Sequence, residues 1–165
     1  MQDFTAGGAA LAATPDVTAA PLIPFHLSMP VKSLQTARHF YGGLLGCPEG
    51  RSAEARVDFN FFGHHLVMHL EPDDASHKTT DISSDGVLTP CRHFGVVLPS
   101  AEWRILADRL QEGRAHFYSE PQTIFAGQVK EQQIMLVHDG CGNIVEFKGA
   151  PPHGLFSTAK AVGAS

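Results

Sequence analysis

Cysteine is scarce in this chain. Three thiols, Cys47, Cys91 and Cys141, are spread over 165 residues. They are too few for a disulfide framework and too far apart for a CxxC zinc site. Reduced thiols in a cytoplasmic protein are the expectation. Basic residues are also few: Lys and Arg number 12 against 17 Asp and Glu, for a net charge of -5 and a pI near 6.0. No basic stripe of the kind that tracks phosphates is present, so nucleic acid is excluded as a partner. Apolar runs are short, which excludes a membrane-spanning helix. No basic residue precedes Lys32, so a secretory signal with a positive leading segment is not expected. Residues 1–20, rich in Ala, Gly and Thr, read as a flexible tail.

What is present is an ordinary apolar fraction in a chain long enough to bury about two thirds of its unfolded surface. Ten histidines are also present, and the question is which of them converge.

Residues 22–31 (LIPFHLSMPV) read as a strand bounded by prolines. Ser33 is a candidate helix cap, with Leu34, Ala37, Tyr41, Leu44 and Leu45 at helical spacing and Gly46 as the stop. Residues 55–62 read as a strand, Gly63 as a turn, and His65 to Glu71 as a second strand. The polar stretch 72–91 reads as a linker or long surface loop. The pattern then restarts. Residues 92–98 read as a strand, Ser100 as a cap, and Trp103, Leu106 and Leu110 as the face of a helix ending at Gly113. Residues 115–118 and 123–126 read as short strand pieces. Residues 132–138 and 144–148 read as strands about a tight Asp139–Asn143 turn of hairpin type. Residues 150–165 read as a tail, with Leu155 and Phe156 able to pack back on the body.

The order strand, helix, strands occurs twice, in 21–71 and in 92–149. Laying one half on the other matches His26 with His93 and Gly63 with Gly142. Each matched histidine stands near the start of its module's first strand. Glu146 stands in the closing strand of the second module, among Ile144, Val145 and Phe147. A charged Glu in such a strand is costly to bury unless it is paired or metal-bound. A pseudo-twofold pairing of the modules would aim His26 and His93 into one cavity, with Glu146 joining them. Two imidazoles and one carboxylate form the ligand set of non-haem Fe(II) oxygenases, and Zn, Mn and Ni also accept it.

The segments PFHLSMPV, RHFYGGLLGC, RHFGVVL and HDGCGNIVEFK, covering about residues 22–149, resemble the vicinal oxygen chelate superfamily. That group contains glyoxalase I, bleomycin-resistance proteins and extradiol dioxygenases. The resemblance is greatest to short extradiol-type dioxygenases. It implies an α+β fold of two βαβββ modules forming an open, cupped mixed sheet around a metal site. The family ligands would fall on His26, His93 and Glu146. Glyoxalase I is similar but adds a fourth ligand from the closing strand of the first module. The matching position here is Val67, although His69 remains open as a donor. Gly63-His64-His65 resembles the segment that supplies the extradiol acid–base histidine. This makes His65 the first catalytic candidate and His69 the second, since both share the face of Val67.

Two departures bear on this reading. The tyrosine found about ten residues before the ligand glutamate in extradiol enzymes is Leu136 here, with Tyr118 as a possible substitute. The loop 127–132 stands where the family places substrate contacts, and Lys130, Glu131 and Gln132 could bind a polar substrate group but are better explained as a solvated loop. Phe59, Phe61, Met68, Phe125 and Met135 are candidate lining residues or ordinary core.

The expected activity is that of an Fe(II) oxidoreductase using dioxygen on a small substrate chelated through vicinal oxygens. A Zn or Ni lyase or isomerase, with His69 or Glu71 as fourth ligand, is one rival. A drug-binding protein without catalysis is the other. A homodimer is compatible with all three.

Overall fold

The structure is a computed structural model, described for residues 23–73, 80–84, 87–128 and 131–150. The two tail segments and Lys130 lie outside the described residues.

Module one contains β1 (His26–Val31), a helical segment, β2 (Glu49–Ala53), β3 (Arg56–Phe61) and β4 (His64–Leu70). Ser33 caps the helix as expected, its hydroxyl accepting from the Thr36 amide at 3.2 Å. The helix is not uniform. The turn α1 (Leu34–Ala37) passes into a π-helical stretch over Arg38–Leu44, closed by the Leu45 amide bonding to the Phe40 carbonyl five residues back. Gly46, at φ 72°, then ends it. Phe40 and Tyr41 are the buried residues of the π stretch.

Module two contains β7 (Phe94–Leu98), α2 (Ser100–Glu112), β8 (Phe117–Ile124), β9 (Gln132–His138) and β10 (Ile144–Gly149). Helix α2 buries Trp103, Leu106, Ala107 and Leu110, one stripe at i, i+3, i+4 and i+7. Burying each of the larger apolar side chains contributes about 1.5–3 kcal/mol. The Trp103 indole donates to the Phe147 carbonyl at 2.9 Å, which ties the helix to β10. Ser100 is the first helical residue and not the cap. Pro99 occupies the cap position in extended conformation and makes no side-chain bond there.

The two sheets repeat one another. Their strand orders are β1-β4-β3-β2 and β7-β10-β9-β8. In each, the first strand runs parallel to the last and the remaining neighbours are antiparallel. The architecture is thus the expected pair of βαβββ modules, with two open four-stranded sheets. One core takes residues from both modules, with Tyr41, Phe61 and Met68 beside Leu110, Val145 and Phe147. Phe59, Phe61, Met68 and Met135 all belong to it, and of these Phe59 also borders a small cavity beside Asp58.

Other expectations are corrected. The stretch 72–91 is not wholly loop, because β5 (Asp81–Ser84) and β6 (Val87–Pro90) pair antiparallel. Strand β2 went unseen because all five of its residues are exposed and carry no alternation. Strand β8 is one strand with two register irregularities where two short pieces were expected. The β9–β10 connection is five residues long, since His138 pairs with Ile144. The Asp139 carboxylate holds this loop, accepting from the amides of Cys141 at 2.7 Å and Asn143 at 3.0 Å. The tight two-residue turn occurs instead between β3 and β4, where Phe62 and Gly63 both have positive φ.

Asp139 also joins the modules. Its other oxygen accepts from the Tyr41 hydroxyl at 3.0 Å and from the Asn143 amide group at 2.8 Å. Asn143 in turn donates to the Pro30 carbonyl on β1 at 3.2 Å. Asp139 and Asn143 are buried.

Candidate metal centre

Strand register confirms the match between the two halves. In module one Ser28 pairs with Val67, and in module two Gly95 pairs with Glu146. Counting from the matched histidines, Gly95 is equivalent to Ser28, Glu146 to Val67 and Lys148 to His69. Gly95 is glycine for a reason of space, since a Cβ there would overlap the Glu146 backbone carbonyl.

His93 immediately precedes β7. Its Nδ1 lies 2.6 Å from the Pro90 carbonyl, so that nitrogen carries a proton and donates. Its Nε2 faces Glu146 Oε2 at 3.1 Å. Glu146 is buried, at 9% exposure. An imidazole lone pair and a carboxylate at that separation repel unless a proton or a cation lies between them. With a proton there, the Glu146 hydrogen bond raises the His93 pKa above its ordinary value, against burial, and the Pro90 bond helps. Lys148 Nζ lies 3.6 Å from the same Glu146 oxygen. These groups line a cavity of about 740 Å³, bounded also by Phe94, Glu102 and, from module one, Phe62 and His64.

His26 lies elsewhere. Its Nδ1 is 2.9 Å from His65 Nδ1, and the two rings are 4.8 Å apart and tilted. His65 Nε2 is in turn 3.2 Å from Asp58 Oδ2. Asp58 is buried, with Arg51 at 3.4 Å and Arg56 at 3.6 Å. Burial works to raise its pKa, but the His65 bond and the two guanidinium groups prevail and hold it below the ordinary carboxylate value.

The expected site is therefore divided. Among the described residues no three His, Cys, Asp or Glu side chains lie close enough to hold one metal ion. His93 and Glu146 are together, and His26 is with His65. The donors fit a divalent ion by chemistry, and the His93–Glu146 spacing suits two ligands of one ion. A single chain in this arrangement supplies two of the three expected donors. His69 is exposed on β4 and lines neither the cavity above nor the smaller one bounded by Arg51, Asp58, His64 and His65. His64 was passed over in favour of His65. Of the Gly63-His64-His65 segment, the histidine that lines the His93 cavity is His64, whose Nδ1 accepts from the Phe25 amide at 3.0 Å. Asp58 was missed altogether.

Other candidates are accounted for. Tyr118 bonds Asp81, and its ring packs on Ile134, Leu136 and Ile144. Glu131 accepts from the Gly127 amide at 2.6 Å and closes its own loop. The three cysteines are free thiols. Burial pushes the Cys47 thiol up to about 11, which removes it as a thiolate ligand or nucleophile at neutral pH.

The fold is that of the vicinal oxygen chelate superfamily, the group to which the similar solved structures belong. A glyoxalase/bleomycin resistance protein/dioxygenase from Alicyclobacillus acidocaldarius is 28% identical over 79% of this chain and 93% of that one, with a TM-score of 0.63. A glyoxalase/dioxygenase from Nostoc punctiforme is 17% identical over 87% and 99%, with a TM-score of 0.57. The fosfomycin resistance protein FosX of Listeria monocytogenes is 12% identical over 82% and 97%, with a TM-score of 0.56. These last two likenesses are of fold alone. No family model and no curated protein matches the chain. No helix among the described residues is long and apolar enough to cross a membrane.

Proposed function

We propose that the protein is a metal-dependent enzyme whose ligands are His93 and Glu146 of one chain and His26 of a second copy. The observation that carries this reading is the pairing of half-buried His93 with buried Glu146 on the cavity wall, with the His93 Nδ1 proton already committed to Pro90. Val67 stands where a fourth ligand would stand. That favours a three-ligand site with open positions, and with it Fe(II) and dioxygen acting on a small substrate chelated through vicinal oxygens.

When bound, the metal supplies Lewis acidity and a template for two substrate oxygens. The chain's own groups do the rest. Lys148 places a positive charge beside Glu146 and can hold an anionic substrate oxygen. His64 accepts at Nδ1 from a backbone amide, so in its neutral form it presents Nε2–H as a donor or acid within the same cavity. Phe62 and Phe94 give that cavity an apolar part of its wall. A non-redox reading, with Zn, Mn or Ni promoting addition or isomerisation, uses the same ligands and differs in consuming no oxygen.

Complementation tests the assembly. Subunits carrying His26→Ala and subunits carrying Glu146→Ala each lack a complete site alone. If ligands come from two copies, mixing them restores one intact site per mixed dimer, read as metal per chain by plasma mass spectrometry. A site closed within one chain would not be restored. Iron together with oxygen uptake supports the dioxygenase reading. Metal binding without oxygen uptake, across catechol and hydroxy-keto substrates, supports the non-redox one.

A further inference from the structure

We infer that Asp58 is a positioning residue which, acting through His65, fixes the tautomer of His26 so that its Nε2 carries the lone pair. The metal role of His26 rests on the function proposed above, but the tautomer does not.

The argument follows the protons. Ionised Asp58 can only accept, so the 3.2 Å contact with His65 requires a proton on His65 Nε2. Neutral His65 then has its lone pair on Nδ1. The 2.9 Å contact between the two Nδ1 atoms holds a single proton, and with His65 accepting, that proton belongs to His26. His26 Nε2 is left bare, which is the form that can bind a cation.

Module two reaches the same end by other means. There the His93 Nδ1 proton goes to the backbone carbonyl of Pro90, so in the neutral ring the lone pair again falls on Nε2, the nitrogen that faces Glu146. The two matched histidines thus share one electronic arrangement, built from backbone in one module and from a buried Asp–His pair in the other. Burial of Asp58 and its two flanking arginines hold the carboxylate in place for this role.

The test is long-range proton–nitrogen correlation NMR on metal-free full-length protein in mildly alkaline buffer, where the imidazoles are neutral. Wild type is expected to show His26 protonated at Nδ1 and bare at Nε2, with His65 protonated at Nε2. In Asp58→Leu, which installs the residue found at the equivalent place in module two, His26 is expected to revert to the Nε2–H form. His65→Phe should do the same, and because His65 is partly exposed this ring-preserving change threatens the fold less. Metal affinity should fall by roughly 10–100-fold in both variants. A wild-type His26 carrying its proton on Nε2 would overturn the inference, as would a wild-type signature that persists in either variant. The expected tautomers in a protein that never takes up metal would sink the proposed function and leave this inference standing.

Discussion

Where module two carries Glu146, module one carries Val67. One strand over, where module one carries Asp58, module two carries Leu136. All four are buried. The backbone plan is the same in both, yet each module has its carboxylate on a different strand. In module two it meets His93 directly, and in module one it reaches His26 only through His65. A repeated scaffold therefore did not duplicate a site. It produced one half with a directly bonded His–Glu pair and one half with a carboxylate–histidine–histidine chain.

The comparison breaks most visibly at Glu146. Glu146→Val, which copies module one, should abolish stoichiometric metal binding, whereas Val67→Ala should leave metal content unchanged. Plasma mass spectrometry on both variants checks this.

The two hairpins come next. Asp139→Ala strips acceptors from the Tyr41 hydroxyl and from the Cys141 and Asn143 amides. Leaving buried donors unpaired costs on the order of 1–3 kcal/mol each, so a loss of about 3 kcal/mol or more is expected in urea unfolding. Asn60→Ala in the other hairpin removes one exposed acceptor from the Gly63 amide and should cost about 1 kcal/mol or less.

Gly95 and Ser28 form the third contrast. Gly95→Ala forces β7 away from β10 and should destabilise by about 1–3 kcal/mol. Ser28→Ala, on an exposed face of β1, should stay within about 0.5 kcal/mol.

The smallest effect is confined to module two. His138 stacks on His116 with ring centroids 4.5 Å apart. Burial, and then the like charge of His116, lowers the His138 pKa below its ordinary 6.5. The unfolded chain therefore binds more protons between that lowered value and 6.5. Stability should be level above 6.5 and decline as pH falls through this window. His138→Phe should flatten the decline in thermal melts recorded across it.

The repeat was legible because strand and helix periods, glycine stops and two matched histidines recur in order. Gly46 and Gly113 ended their helices, and 132–138 is a strand with the expected bounds. Strand β2 was not legible, because EGRSA is fully exposed and is held by backbone bonds that leave no pattern in side chains. Nor was Asp58, whose neighbours Val57 and Phe59 made ARVDFNFF read as a plain strand. The pairing of His93 with Glu146 could be anticipated from the strand order. The separation of His26 from them could not, because periodicity describes each module and says nothing of how two modules face one another.

Gly95 has a practical consequence for anyone screening variants. In a saturation scan scored by activity it would rank beside Glu146, since every other residue there displaces the Glu146 backbone. A reader of such a scan would place Gly95 among the reacting groups, although it has no side chain to offer. Only a parallel scan for folded yield would separate a position that holds its neighbour in place from one that touches the substrate.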